Sequence, residues 1–326
     1  MRTISDRISS NHTTIRIQIH TLMKPYITSR LRLFARIIAA AGGLLALNAH
    51  AQAVTPVFTE DFATDRDGWY AASTGGGGIA YAPGALTLKA TGTDSSNHFV
   101  TYFSSTNLEV GESLTVNFTY SVSGTTTATQ FRFGLFNSGS SGQASRDGHG
   151  TSGRSLATPN GLSNGFNSYV GYRGSVSSSN LGLTERGTTE SSTQWPHLLT
   201  GGSPSPWTTI STTGSTPSSL SLGSGQDFHV TFTFTRSAAD TLSLSLNFTG
   251  IDSSGNTFNY TVTGSDSASI VSTFDTFAFS VNNSDVDLIM KSVEITGTGA
   301  IPEPAATAAL VGALLLLAAC VIRRKK

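Results

Sequence analysis

The chain has 326 residues, is only 12% charged, and sets 20 Lys/Arg against 20 Asp/Glu. The balance is uneven: residues 1–53 hold seven Lys/Arg and one acid, and 301–326 hold four and one, leaving nine basic and eighteen acidic residues over 54–300. An acidic body argues against nucleic acid as a partner, and the single Cys, Cys320, excludes an intrachain disulfide.

The first 53 residues read as a signal peptide. Arg30, Arg32 and Arg36 precede the apolar run 37–47, and Asn48-Ala-His-Ala-Gln-Ala53 follows. A basic region, a short apolar region and small residues at −3 and −1 are the parts of a secretory signal, with cleavage after Ala51 or Ala53. The 22 residues before Met23 are long for a signal, so Met23 is an alternative start.

Residues 54–298 form the second unit, and there strand follows strand. Leu114–Tyr120, Val230–Thr235, Thr241–Phe248 and Thr273–Val281 alternate apolar with Thr, Ser or Asn. Period-two alternation puts Phe, Leu and Val on one face of a strand and the hydroxyls on the other. Further strands are expected at 85–89, 99–103, 131–136, 166–173, 258–262 and 286–296, about ten in all. Strands with one apolar face need a partner sheet to bury it. The expectation is therefore all-β: a two-sheet antiparallel jelly-roll sandwich. Two irregular stretches, near 138–165 and 174–226, interrupt it, and loops of that length usually carry function.

Residues 299–326 end the chain in a fixed order. Pro302, Glu303 and Pro304 come first, then the apolar run 305–322, then Arg323, Arg324, Lys325 and Lys326. Eighteen apolar residues reach the short limit for a membrane-crossing helix. The basic end would stay cytoplasmic, leaving the body outside the cytoplasmic membrane.

Several residues are candidates for binding or chemistry. Trp195 and Trp207, with Tyr172, offer flat rings of the kind that stack on sugars. Glu60 and Asp61, with the later Asp287, could supply oxygen ligands to a structural Ca²⁺; no other cofactor is expected. Gly161-Leu-Ser-Asn-Gly165 matches a nucleophile-elbow pattern, but a Pro-Asn-Gly loop stands before it where a strand is required. A glycosidase would need two carboxyl groups facing a cleft. Glu185 and Glu190 sit in the irregular region and Asp285 reads as part of a turn.

The tail resembles the PEP-CTERM sorting signal of Gram-negative bacteria, with Pro302, Glu303 and Pro304 at the motif and Arg323 to Lys326 at the basic end. The resemblance covers about the last 26 residues. It implies recognition by exosortase, a membrane protease, after transient anchoring in the inner membrane, and delivery to the cell surface or exterior among exopolysaccharide. The body is similar in layout to concanavalin-like lectin and glucanase domains through Phe58–Phe62 with Gly68-Trp69, Phe131–Phe136 and Asp287–Ile295. Together these imply a non-enzymatic surface or matrix protein that binds polysaccharide. A carbohydrate-active enzyme on the same fold and a purely structural matrix component are the alternatives.

Overall fold

The computed structural model describes residues 54–72, 79–89, 97–126, 130–139, 142–144, 147, 166, 168–187, 198–199, 206–282 and 286–299. Ala51, Ala53, Met23 and the whole tail, from Pro302, Glu303 and Pro304 to Arg323, Arg324, Lys325 and Lys326, lie outside these residues, as does Trp195. Among the described residues no helix is long and apolar enough to cross a membrane.

Sixteen strands are described: β1 Val54–Glu60, β2 Trp69–Ala72, β3 Ile79–Ala82, β4 Ala85–Leu88, β5 Asn97–Asn107, β6 Ser113–Val122, β7 Gln130–Asn137 and β8 Val170–Ser177. They continue with β9 Asn180–Arg186, β10 Trp207–Ile210, β11 Thr212–Gly214, β12 Phe228–Ala238, β13 Thr241–Ile251, β14 Thr257–Asp266, β15 Thr273–Asn282 and β16 Leu288–Thr298. They pair antiparallel in two sheets. The nine-stranded sheet runs β11-β14-β13-β12-β6-β16-β4-β3, with β1 also on β16. The seven-stranded sheet runs β10-β9-β8-β7-β15-β5-β2. The chain changes sheet repeatedly, so neither sheet is formed by one continuous run of sequence.

The core follows from the alternation. On β6, Leu114, Val116, Phe118 and Tyr120 are buried while Ser113, Thr115, Asn117 and Thr119 are not. β12 repeats this with Phe228, Val230, Phe232 and Phe234, and β13 with Leu242, Leu244, Leu246 and Phe248. The opposite sheet supplies Phe131, Phe133 and Leu135 from β7 and Phe277 and Phe279 from β15. Each such ring or branched side chain contributes about 1.5–3 kcal/mol when taken out of water. Phe118 sits at the centre, with the rings of Phe133, Phe277 and Phe279 at 5.0, 5.6 and 5.4 Å. Rings at these separations gain from edge-to-face contact as well as from burial.

The opening motif closes one end of the core. Trp69 is buried against Phe62, Phe99 and Phe277. Phe62 adopts φ 55°, which is rare for a side chain of this size. Its amide donates to Glu60 Oε1 at 2.7 Å, its carbonyl accepts from Gly84 N at 2.7 Å, and its ring is wholly enclosed. The surroundings therefore hold the strained backbone in place.

One expectation needs correction. The stretch 174–226 is not irregular throughout: it contains the end of β8 and all of β9, β10 and β11. These strands hold few large apolar residues. β9 has only Leu181 and Leu183 pointing inward, with Gly182 between them. Gly and Asn are depleted in strands, and β10 and β11 are only four and three residues long, so pairing decides their state.

Candidate functional site

The two outer faces of the sandwich differ in kind. The nine-stranded sheet presents hydroxyls and amides that bond to one another: Ser113 with Thr235 at 2.9 Å, Thr115 with Thr233 at 3.1 Å, and Thr213 with Thr263 at 3.2 Å. Asn247 donates to Asn259 Oδ1 and Thr261 Oγ1 at 2.7 and 2.8 Å. An open groove of about 450 Å³ crosses this face, lined by residues such as Ser211, Thr213, Thr233 and Ser245. Cross-strand hydroxyl pairs stabilise a sheet in their own right, so this face has a structural account.

The outer face of the seven-stranded sheet is partly roofed. Ala144, Phe166, Tyr169, Leu198 and Leu199 pack on Val100, Phe136 and Ala278 to form a second, smaller core. Cross-strand neighbours share a face, so the register places Tyr102, Thr276, Phe136, Gly171, Arg186 and Trp207 in one row. The next row holds Tyr70, Val100, Ala278, Gly134, Arg173 and Thr184, and a third holds His98, Ser280, Arg132 and Ser175. Sequence segments far apart thus meet on one face. Glycines at 134 and 171 let the Phe136 ring lie down on the sheet: a Cβ at Gly134 would come within 2.8 Å of it.

Side chains pin the roof. Tyr102 and Tyr169 share a hydroxyl contact at 3.0 Å; Tyr169 donates to the Gly142 carbonyl at 2.7 Å, and Ala144 N donates to the Tyr102 oxygen at 2.8 Å. Asp275 stands at a bulge in β15 and accepts from Ser138 N at 2.9 Å, Ser138 Oγ at 2.6 Å and Thr276 Oγ1 at 2.7 Å. Asp147 accepts from Arg66 Nη2 at 3.0 Å and Ala71 N at 2.9 Å. Asp275→Ala strands those three donors, and one buried donor left unsatisfied costs about 1–3 kcal/mol. The expected result is a lower urea midpoint with faster hydrogen exchange at the Ser138 amide. An unchanged exchange rate would show that Asp275 does not hold the roof.

Burial raises the Tyr102 hydroxyl to about 12, despite the opposing hydrogen bond from Tyr169. Burial likewise pushes up Tyr120, Tyr169 and Tyr172. In the unfolded chain tyrosine ionises near 10. The native state keeps protons that the unfolded state loses, so this stabilisation is complete below about pH 10 and is lost as pH climbs through 12. In an alkaline titration, the tyrosinate absorbance of these four rings should rise together with loss of near-UV circular dichroism. Full ionisation near pH 10 with the native dichroism intact would contradict it.

The basic groups are the distinctive part of the face. The Arg173 guanidinium lies 4.0 Å from the centre of the Trp207 ring, and Trp207 meets Phe136 edge-on at 6.3 Å. Arg173 donates to Thr184 Oγ1 at 3.1 Å and to the Leu199 carbonyl at 2.7 Å. Burial, with the Arg132 charge second, lowers Arg173 to about 9. Arg186 is fully enclosed and donates from Nη1 to the Tyr169 carbonyl. Burial lowers it to about 10. Both are cations at neutral pH. A planar guanidinium over an aromatic ring offers a flat apolar surface and directed donors together.

The structure places the expected residues as follows. Trp207 is on this face, half-buried, with one side of its ring taken by Arg173 rather than left open for stacking. Tyr172 is not a surface ring. It points into the sandwich, donating to Asp266 Oδ2 at 2.7 Å and accepting from Val271 N at 2.9 Å. It neighbours Arg173 in sequence, and on a strand adjacent residues face opposite ways. The three calcium candidates are not brought together: Glu60 Oε1 caps Phe62 N, Asp61 Oδ1 caps Ala63 N at 2.9 Å, and Asp287 pairs with Lys89 at 2.7 Å. Among the described residues no three His, Cys, Asp or Glu converge as a metal site would need. Glu185 lies on β9 beside Asp266; burial, and then the Asp266 charge, raises its carboxyl above the usual range. The arginines were absent from the sequence-level candidates. Their signal was available: Arg186 alternates out of phase with Leu181 and Leu183, which puts it on the outer face.

No family model matches this chain, and no curated protein matches it. Solved structures with a similar course include peanut lectin, at 12% identity and a TM-score of 0.36, covering 76% of this chain and 98% of that one. Lotus tetragonolobus seed lectin follows at 12% identity and 0.38, covering 74% and 98%. The CBM2 module of the evolved Dit protein of Lactobacillus casei BL23 phage J-1 gives 12% and 0.36, covering 75% and 96%. The two-sheet fold stands on the strand pairing itself, not on these likenesses.

Proposed function

We propose that this is an exported, non-enzymatic, polysaccharide-associated protein of the cell surface or extracellular matrix, and that the roofed face of its seven-stranded sheet is the binding face. A jelly-roll sandwich is the scaffold. The tail carries sorting: Pro302, Glu303 and Pro304 are the motif presented to an exosortase-type protease, the run 305–322 is the temporary inner-membrane anchor, and Arg323 to Lys326 hold it. The signal ending at Ala51 or Ala53 provides export.

The observation that carries the binding proposal is the Arg173 guanidinium stacked on Trp207, beside a small apolar cluster pinned on the same face. Sugar sites combine an aromatic surface with a few directed donors. The opposite face spends its hydroxyls on each other. The sorting half is tested by C-terminal peptide mass spectrometry on native protein from fractionated cells and medium. A last peptide ending near residues 301–304, in material outside the inner membrane, supports it. An intact 305–326 segment retained in the inner membrane makes the tail a plain anchor.

A carbohydrate-active enzyme is the second reading, favoured by one observation, the raised carboxyl of Glu185 beside Asp266. Incubation with polysaccharides decides between them: an enzyme releases shorter or unsaturated products, and a binding protein returns the polymer unchanged.

A further inference from the structure

Arginine buried without a carboxylate is costly, because the guanidinium gives up water and gains no countercharge. In this body nine basic residues face eighteen acids, so acidic partners are in excess. Among the described residues, Arg66 pairs with Asp147, Lys89 with Asp287, and Lys291 with Asp227. Arg186 does not. It is fully enclosed, Nη1 reaches only the Tyr169 carbonyl, and Nε and Nη2 have no partner among the described residues. Arg173 lies on the next strand, bonded to a hydroxyl and a carbonyl, and the charge acting on it is that of another cation, Arg132. Ser280 Oγ is buried on the same face with its bonding capacity also unused among the described residues.

The face therefore concentrates positive charge and free donors within an acid-rich body. A guanidinium fork matches a carboxylate with two parallel hydrogen bonds. We infer that the face binds an acidic polysaccharide through the carboxylate of a uronic-acid-type sugar, which the half-buried Arg173 receives with the sugar ring against the exposed part of Trp207, while the enclosed Arg186 adds its charge from beneath the roof. The inference rests on the reading of this face as the glycan-binding face and names its ligand class. Neutral glycans offer no countercharge to the two guanidiniums and bind weakly.

Affinity electrophoresis of the full chain tests it in gels containing polygalacturonate, the same polymer with its carboxyl groups reduced, dextran sulfate, or neutral galactan. The expected result is retardation by polygalacturonate, weakened at least about tenfold by carboxyl reduction, by Arg186→Met and by Arg173→Gln. Circular dichroism melts verify the fold of each variant, and Arg173→Gln stands as the test if Arg186→Met does not fold. Equal retardation by galactan or the reduced polymer overturns the acidic-ligand inference and leaves the glycan-binding reading standing. Stronger binding to dextran sulfate overturns the carboxylate assignment. Retardation by polygalacturonate that survives both substitutions moves the site elsewhere. Binding to none of the four overturns the inference and the reading together.

Discussion

Phe118→Ala lowers the stability of the sandwich by about 3–5 kcal/mol, the usual cost of removing a fully packed ring and leaving a cavity. Phe118 is 2% exposed and contacts rings from both sheets: Tyr120 beside it on β6, and Phe133, Phe277 and Phe279 across the interface. These neighbours belong to strands paired on both sides, so they cannot collapse into the space. At roughly 2–4 °C per kcal/mol for a domain of this size, the melting temperature falls by about 6–20 °C. Thr115→Ala on the same strand loses one partly buried hydroxyl pair on the outer face and changes stability by about 1 kcal/mol or less. Calorimetry on the two variants checks the contrast. Similar losses in both would mean that the inter-sheet aromatic cluster is not the main support of the fold.

Gly134→Ala has a comparable effect from a single methyl group. A Cβ there would stand 2.2 Å from the Tyr172 carbonyl oxygen and 2.8 Å from the Phe136 ring. The first contact is with backbone of the paired strand β8, so relief requires β7 and β8 to move apart. Overpacking of this kind costs about 3 kcal/mol or more when the obstacle cannot rotate away. The same movement displaces Phe136 and Arg173, so glycan retention falls along with stability. Gly187 is the control: nothing lies within 4 Å of its would-be Cβ, and Gly187→Ala is neutral to within about 0.5 kcal/mol. Denaturant midpoints for the pair provide the measurement. A neutral Gly134→Ala would show that the two strands are less closely packed than their register implies.

The β-sandwich was legible in the sequence because strands such as β12 and β13 state their two faces residue by residue. β9, β10 and β11 were not, because Gly182 separates the two leucines of β9 and because β10 and β11 are only four and three residues long. The site was partly legible. Trp207 was singled out for its ring, but its neighbours Phe136, Arg173 and Arg186 come from three other strands. Tyr172 misled by adjacency: it follows the outward Gly171 and precedes the outward Arg173, so it faces the core. Arg186 was not singled out in the sequence, because its burial and its bond to the Tyr169 carbonyl depend on tertiary packing.

The central claim is that the seven-stranded sheet presents the binding face and the nine-stranded sheet does not. Retention of the full chain on acidic polysaccharide, compared for the wild type, Trp207→Ala and Thr233→Ala, tests it most directly. Removing a central aromatic at a binding site costs about 2 kcal/mol or more. The account predicts that Thr233→Ala is retained like the wild type and that Trp207→Ala is released. Release of Thr233→Ala with full retention of Trp207→Ala would place binding on the hydroxyl face and contradict it.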